Sequence, residues 1–220
     1  KRFIPKFFDS DDIAYSNHIE CATNSIKQLN FPEVFHLSHE WIDNKGILIK
    51  KCISEGKLNN KILKNNLLSC NGVFIKNDIF KNFFFSENRL LSGSEDWELW
   101  LRLSKTYSFF GIKTITSGIV NHNFRSMKIQ NLDKIIIRMK TLIETLKNQK
   151  QVFFTKTELD KIKSESFSLI SLNASLESRY KLIAIKYLIK SLRLSLNNIF
   201  SKRFIVIIKQ LFFFKIWQKF

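Results

Sequence analysis

Phe7-Phe8-Asp9-Ser10-Asp11-Asp12 sets three carboxylates at the end of an apolar run that opens at Phe3, and the reading of the fold turns on what those carboxylates are for. Side by side, each raises the cost of ionising the others. A hard divalent cation such as Mn2+ or Mg2+ relieves that cost. It prefers oxygen ligands and usually takes one or two carboxylates together with the phosphate oxygens of a substrate. A strand end feeding a short acidic loop is also where open α/β sheets place their ligands. The structural alternative is a helix beginning near Ile13, with Asp11 or Asp12 as its cap and Asp9 in the turn before it. Spacing alone does not separate the two readings.

Further along, short apolar runs at Val34 to Leu37, Gly72 to Ile75 and Phe109 to Ile115 alternate with turn signals at Asp43-Asn44-Lys45-Gly46 and Ser92-Gly93. Residues 1–127 therefore read as an α/β or α+β region. After about Asn131 the periodicity turns helical, with helices expected near 131–148, 156–177, 179–197 and 202–218. Thr155 and Glu158 have capping-box spacing for the second of these. In the third, Leu182, Ile185, Ile189, Leu192 and Leu196 repeat at heptad-like spacing, while Lys186, Lys190, Arg193 and Asn197 form a separate polar stripe, so that one face is apolar and the other basic. Residues 128–220 are thus expected to form a basic, amphipathic helical region.

Ser92-Gly93-Ser94-Glu95-Asp96-Trp97-Glu98-Leu99-Trp100-Leu101-Arg102-Leu103 predicts the start of another helix. Ser92 with Glu95 has capping-box spacing, and Ser94 is the alternative cap. Trp97, Trp100, Leu101 and Leu103 fall at core spacing, and Glu98 with Arg102 is expected to pair along the surface. Asp96 lies in the first turn, where the helix dipole favours its ionised form. A carboxylate held charged there can act as a general base. Dipole complementation by Glu95 and Asp96 is the simpler alternative.

In order, the acidic loop continuing to Asn17-His18-Ile19-Glu20, the Asn71-Gly72-Val73-Phe74-Ile75 run, the Glu95-Asp96-Trp97 helix and Val120-Asn121-His122-Asn123-Phe124-Arg125-Ser126 resemble the second half of family 2 glycosyltransferases of the GT-A fold. The likeness covers roughly residues 3 to 127. It implies a partial, Rossmann-like GT-A domain followed by the C-terminal helical region, and an inverting sugar transfer from a nucleoside diphosphate sugar to a glycan or lipid-linked acceptor, as in the synthesis of cell-surface polysaccharide. On the matching positions it implies that Asp9 sits near the ribose or sugar. Asp11 would bind Mn2+ or Mg2+ bridging the diphosphate, with Asp12 as a supporting ligand. Asp96 would take the acceptor proton beside Glu95, and His122 with Arg125 would belong to a segment closing over the diphosphate or metal. In that family a nucleotide-binding half precedes the acidic motif, whereas eight residues precede Asp9 here. The expectation is a piece of a longer protein, or one that has lost donor binding, with weak or no transfer from residues 1–220 alone.

Charge is the compositional outlier: 36 Lys+Arg against 19 Asp+Glu give +17. The first 127 residues hold 17 basic and 13 acidic side chains, and the remainder 19 and 6. From Ser178 to Phe220 there are ten basic residues and no acidic one. Such an excess attracts nucleic acid or an anionic membrane, and a bias toward A/T-rich codons is the competing source. Aromatic residues sit in apolar faces instead of alternating with basic ones, and no zinc or helix-turn-helix pattern appears, which speaks against nucleic acid. The tail Ser201 to Phe220 fits a helix in the headgroup plane, with Trp217 inserted and Lys202, Arg203, Lys209 and Lys219 near anionic lipid. A helix docked on the domain is the alternative, and a non-catalytic remnant that binds membrane or a partner is the alternative function.

Cys21, Cys52 and Cys70 form no CxxC pair, which argues against a disulfide framework or zinc site. With no signal peptide and no run near the roughly 20 apolar residues that a span requires, the expected location is cytoplasmic, peripheral at the inner membrane face. His36 and His39 are expected on opposite faces of a strand and so make a poor metal pair. His18 is expected at the surface, and Phe83-Phe84-Phe85 is expected to be partly core.

Overall fold

The structure is a computed structural model that describes residues 3–5, 9–121, 131–150 and 152–213. The chain divides into two compact units, residues 1–87 with 93–129, and residues 88–92 with 130–220.

The first unit is built on a seven-stranded mixed sheet. Its strands are β1 (Phe3–Pro5), β2 (Ile13–Ala14), β3 (Val34–Ile42), β4 (Leu48–Cys52), β5 (Gly56–Lys57), β6 (Val73–Lys76) and β7 (Phe109–Val120). The order is β1-β6-β3-β7-β2, with β4 added to β3 and β5 to β7. The long central pair β3 and β7 is parallel, and the other pairings are antiparallel. Pro5 in β1 lies on an edge strand, the place in a sheet where proline is tolerated. The helices of this unit are α1 (His18–Gln28), the single turns α2 (Asn59–Ile62) and α3 (Asn77–Phe80), and α4 (Glu95–Thr106).

Phe35 and Leu37 of β3 and Phe74 of β6 pack with Ala22 of α1, and the Phe35 and Phe74 rings stack at 4.8 Å. On α4, Trp97, Trp100, Leu101 and Leu103 are buried, as their spacing predicts, and Leu99 is buried with them. Trp100 meets Phe109 and Phe85 edge-on, while Phe83 is buried and Phe84 exposed.

Four local expectations are corrected. No helix begins at Ile13: residues 13–14 pair with Gly118 and Ser117 of β7, and Tyr15 N–H donates to the Thr116 carbonyl. The chain therefore binds the sheet before it turns into α1 at His18, and the acidic loop caps nothing. His18 itself is buried, its Nδ1 2.9 Å from the Thr116 hydroxyl. Glu98 and Arg102 do pair, at 2.6 and 2.8 Å, but the pair is buried, with Arg102 also donating to the Phe84 carbonyl.

His36 and His39 do not diverge. β7 carries extra residues opposite Leu37, Ser38 and His39, so simple alternation fails and the two rings meet edge to face at 5.7 Å. Both are buried. His36 is held by the Ser54 hydroxyl at 2.7 Å and accepts at Nε2 from Ser69 N–H at 3.1 Å, whereas His39 Nδ1 has no partner.

The second unit contains α5 (Leu132–Lys147), α6 (Lys156–Ser175), α7 (Lys181–Leu194) and α8 (Lys202–Phe213). Asn131 caps α5 by accepting from Lys134 N–H, and Thr155 with Glu158 forms the expected capping box of α6. The α6–α7 contact is made by small residues. The Ser164 and Ser191 hydroxyls each donate to the other residue's carbonyl at 2.7 and 2.8 Å, Ser171 donates to the Ala184 carbonyl at 2.8 Å, and Asn198 donates to both Ser164 and Ser191.

Because that contact is close, α7 buries Ala184, Tyr187, Leu188 and Ser191. The apolar stripe read from the spacing faces outward: Leu182, Ile185, Ile189 and Leu196 are exposed and Leu192 is half-buried. Hydrophobic periodicity reports an apolar face, but small residues and hydroxyls decided which face packs.

Candidate functional site

The site is organised by the 3-10 turn Cys70–Gly72 that leads into β6. Gly72 lies where a Cβ would meet the Leu37 carbonyl oxygen and, at 2.7 Å, His36 Nε2. Only glycine lets the turn approach β3 so closely. That approach sets Asn71, itself buried, against the acidic loop: its Nδ2 donates to Asp12 Oδ2 at 2.8 Å and its Oδ1 accepts from Asp9 N–H at 3.2 Å. Asp12 Oδ1 accepts from Val120 N–H at 3.0 Å, and Asp12 N–H closes the loop on the Asp9 carbonyl at 3.1 Å. Asp12 is thereby fixed between β6 and β7.

Carboxylate oxygens of Asp9, Asp11 and Asp12 lie within 4.8 Å of one another, with Asp9 and Asp11 exposed and Asp12 half-buried. An all-oxygen set with two solvent-facing members fits a hard divalent cation that retains water and substrate oxygens. Asp12, with both oxygens engaged by the protein, shapes the loop that presents the other two.

At the start of α4, Gly93 takes φ +88°, the left-handed conformation that glycine favours, and its N–H donates to the Glu95 carboxylate. Ser94 holds the cap position without a side-chain cap bond. Asp96, half-buried, accepts from its neighbour's backbone N–H at Trp97, 2.6 Å, and from Asn66 Nδ2, 2.9 Å. Burial raises its proton affinity and the Glu95 charge adds to this, while the two hydrogen bonds oppose the rise. The backbone N–H groups of the helix start thus favour the ionised form, and burial works against them.

The two acidic segments, far apart in sequence, meet around Cys70. Burial pushes that thiol strongly up, and Asp96, Asp9, Glu95 and Asp12 each push it further. The structure therefore gathers Asp9, Asp12, Glu95 and Asp96 about one turn, with Asp11 in the same loop. His122 and Arg125 lie outside the described residues. Asn71, Asn66 and Cys70 were missed as site residues, because their role comes from contacts at long sequence separation that spacing does not encode. The unusual Cys-Asn-Gly before an apolar strand was the available signal.

Among solved structures, the chain is similar to S. aureus TarS 1–349 in complex with UDP-GlcNAc, with a TM-score of 0.55 and 17% identity. The match covers 87% of this chain and 57% of that one, so the chain spans little more than half the length of that structure. At this identity the likeness shows the fold, an α/β Rossmann-like domain with a C-terminal helical region. No protein-family model matches the chain, and no curated protein matches its sequence.

Proposed function

We propose that residues 9–12 and the start of α4 form the metal and acceptor side of a glycosyltransferase that uses a nucleoside diphosphate sugar. The observation that carries this reading is the gathering of the two acidic segments around Cys70-Asn71, one exposed and oxygen-rich, the other partly desolvated. That UDP-GlcNAc is bound in the TarS complex supports a nucleotide-sugar donor.

In this reading Asp11, with Asp9 and Asp12 in support, holds Mn2+ or Mg2+. When bound, the cation offsets the charge that develops on the departing diphosphate. Asp9 also orients the ribose or sugar. Asp96 accepts the proton of the acceptor hydroxyl as that oxygen attacks the anomeric carbon opposite the leaving group, which inverts the configuration. Its raised proton affinity makes it a stronger base than an ordinary carboxylate, and Glu95 helps maintain that affinity. Arg125 and His122 are assigned to the diphosphate and metal by resemblance alone. The acceptor is a glycan or lipid-linked glycan, which places the work at the inner membrane face.

Calorimetric titration of UDP tests the proposal. UDP should bind in the presence of Mn2+, bind much more weakly in its absence, and lose the Mn2+-dependent part in Asp11→Ala. Equal binding with and without Mn2+, or in Asp11→Ala, would sink it.

A further inference from the structure

The outward faces of α7 and α8 combine large apolar side chains with basic ones. On α7, Leu182 is 82% exposed, and Ile185 and Ile189 are exposed on the same side, turned away from the face centred on the buried Ala184, Tyr187 and Ser191. Lys186 and Arg193 occupy that same outer sector and are exposed, while Lys190 turns back over the Phe167 and Tyr187 rings. α8 repeats the arrangement. Ile207 is buried and Arg203 pairs with Glu165 of α6, while Ile205, Val206 and Phe212 are exposed together with Lys202 and Lys209. The connecting Leu196 and Phe200 are exposed as well. Helices that leave this many leucine, isoleucine and phenylalanine side chains outside, beside basic residues, depart from the usual pattern, and exposed apolar surface of this kind marks a binding face.

We infer that α7 and α8 dock this chain onto an anionic phospholipid bilayer, lying in the headgroup plane. Charge decides among the possible occupants. No acidic residue occurs from Ser178 to the end, so a second copy would oppose basic face to basic face. A soluble polyanion would satisfy the lysines but leave the aliphatic residues without a role. A bilayer surface satisfies both. The 14 residues of α7 and 12 of α8 are too short to cross, since a span needs about 20 residues, and among the described residues no helix is long and apolar enough to do so. Part of the outcome differs from the expectation for the tail: α8 is docked on α6 by one face and free on the other, and α7 supplies much of the surface. Trp217 and Lys219 lie outside the described residues. The inference does not depend on the proposed sugar transfer.

Flotation of the full chain with vesicles tests it. Binding is expected with equimolar phosphatidylglycerol and phosphatidylcholine and is expected to be lost with phosphatidylcholine alone. The charge-neutral pair Leu182→Ser with Ile189→Ser should weaken binding by about tenfold, and Lys186→Gln with Arg193→Gln should weaken it and flatten its salt dependence. All four positions are exposed, so melting should be unchanged, and Ile185→Leu should keep binding as a control against local misfolding. Full binding by the serine pair, equal binding to both vesicle types, or a dimer in ultracentrifugation that the serine pair dissociates without any vesicle binding would overturn the inference.

Discussion

Asn71 joins the backbone of Asp9 to the carboxylate of Asp12, so one amide fixes the shape of the acidic loop. A buried hydrogen bond to a charged group is worth about 1.5–3 kcal/mol. Asn71→Ala is expected to lower unfolding free energy by about that amount and, more tellingly, to weaken Mn2+ binding although no proposed ligand is replaced. Denaturant titration and calorimetry on the same variant read the two effects. Asp96 behaves oppositely. Its folded proton affinity is raised, so the stability it contributes is present below the ordinary carboxylate range and lost as pH rises through its folded value. Asp96→Asn should therefore melt higher than the parent at pH 7, with the gain vanishing toward about pH 4, while the proposed base is gone. A lower melting temperature at pH 7 would refute the desolvated carboxylate.

At the scale of elements, the close approach of the Cys70–Gly72 turn to β3 governs the site. Gly72→Ala would force a Cβ against the Leu37 carbonyl and His36 Nε2, and backbone on one side gives little room to relax. The expected cost is about 1–3 kcal/mol, with the Asp9–Asp12 loop loosened in proportion, both visible in denaturant titration and in hydrogen exchange of the Asp9 and Asp12 amides. Much of the element plan was legible. The capping box of α6, the buried Trp97 and Trp100 of α4, and the edge position of Pro5 follow from local chemistry in the chain. The failures share a cause. The burial of His18 and the convergence of His36 with His39 were each decided by a partner distant in sequence, Thr116 and the extra residues of β7, just as the α6 serines decide which face of α7 packs. Asn71 opens an apolar run in the sequence, and its clamp exists only once β6 lies beside the acidic loop.

At the scale of the whole molecule, acid sensitivity follows from the His36–His39 pair. Burial holds His36 well below the usual imidazole range and lowers His39 to about 4, with His39 and Lys50 charges adding respectively. The unfolded chain binds protons that the folded chain refuses. Stability is therefore full above about pH 6.5 and falls as pH drops toward about 4. The loss from His39 alone is on the order of 3 kcal/mol, and His39→Leu should give a shallower melting-temperature profile across that window. The same long-range packing that buries this pair brings the turn carrying Cys70 and Asn71 between the acidic loop and α4. Through that convergence the two acidic segments form one site. Paramagnetic broadening by substoichiometric Mn2+ in NMR tests it most directly. Resonances of Cys70, Asn71, Glu95 and Asp96 should broaden together with those of Asp9 to Asp12, and all should stay sharp in Asp11→Ala. Broadening confined to residues 9–12, or unchanged by Asp11→Ala, would contradict it.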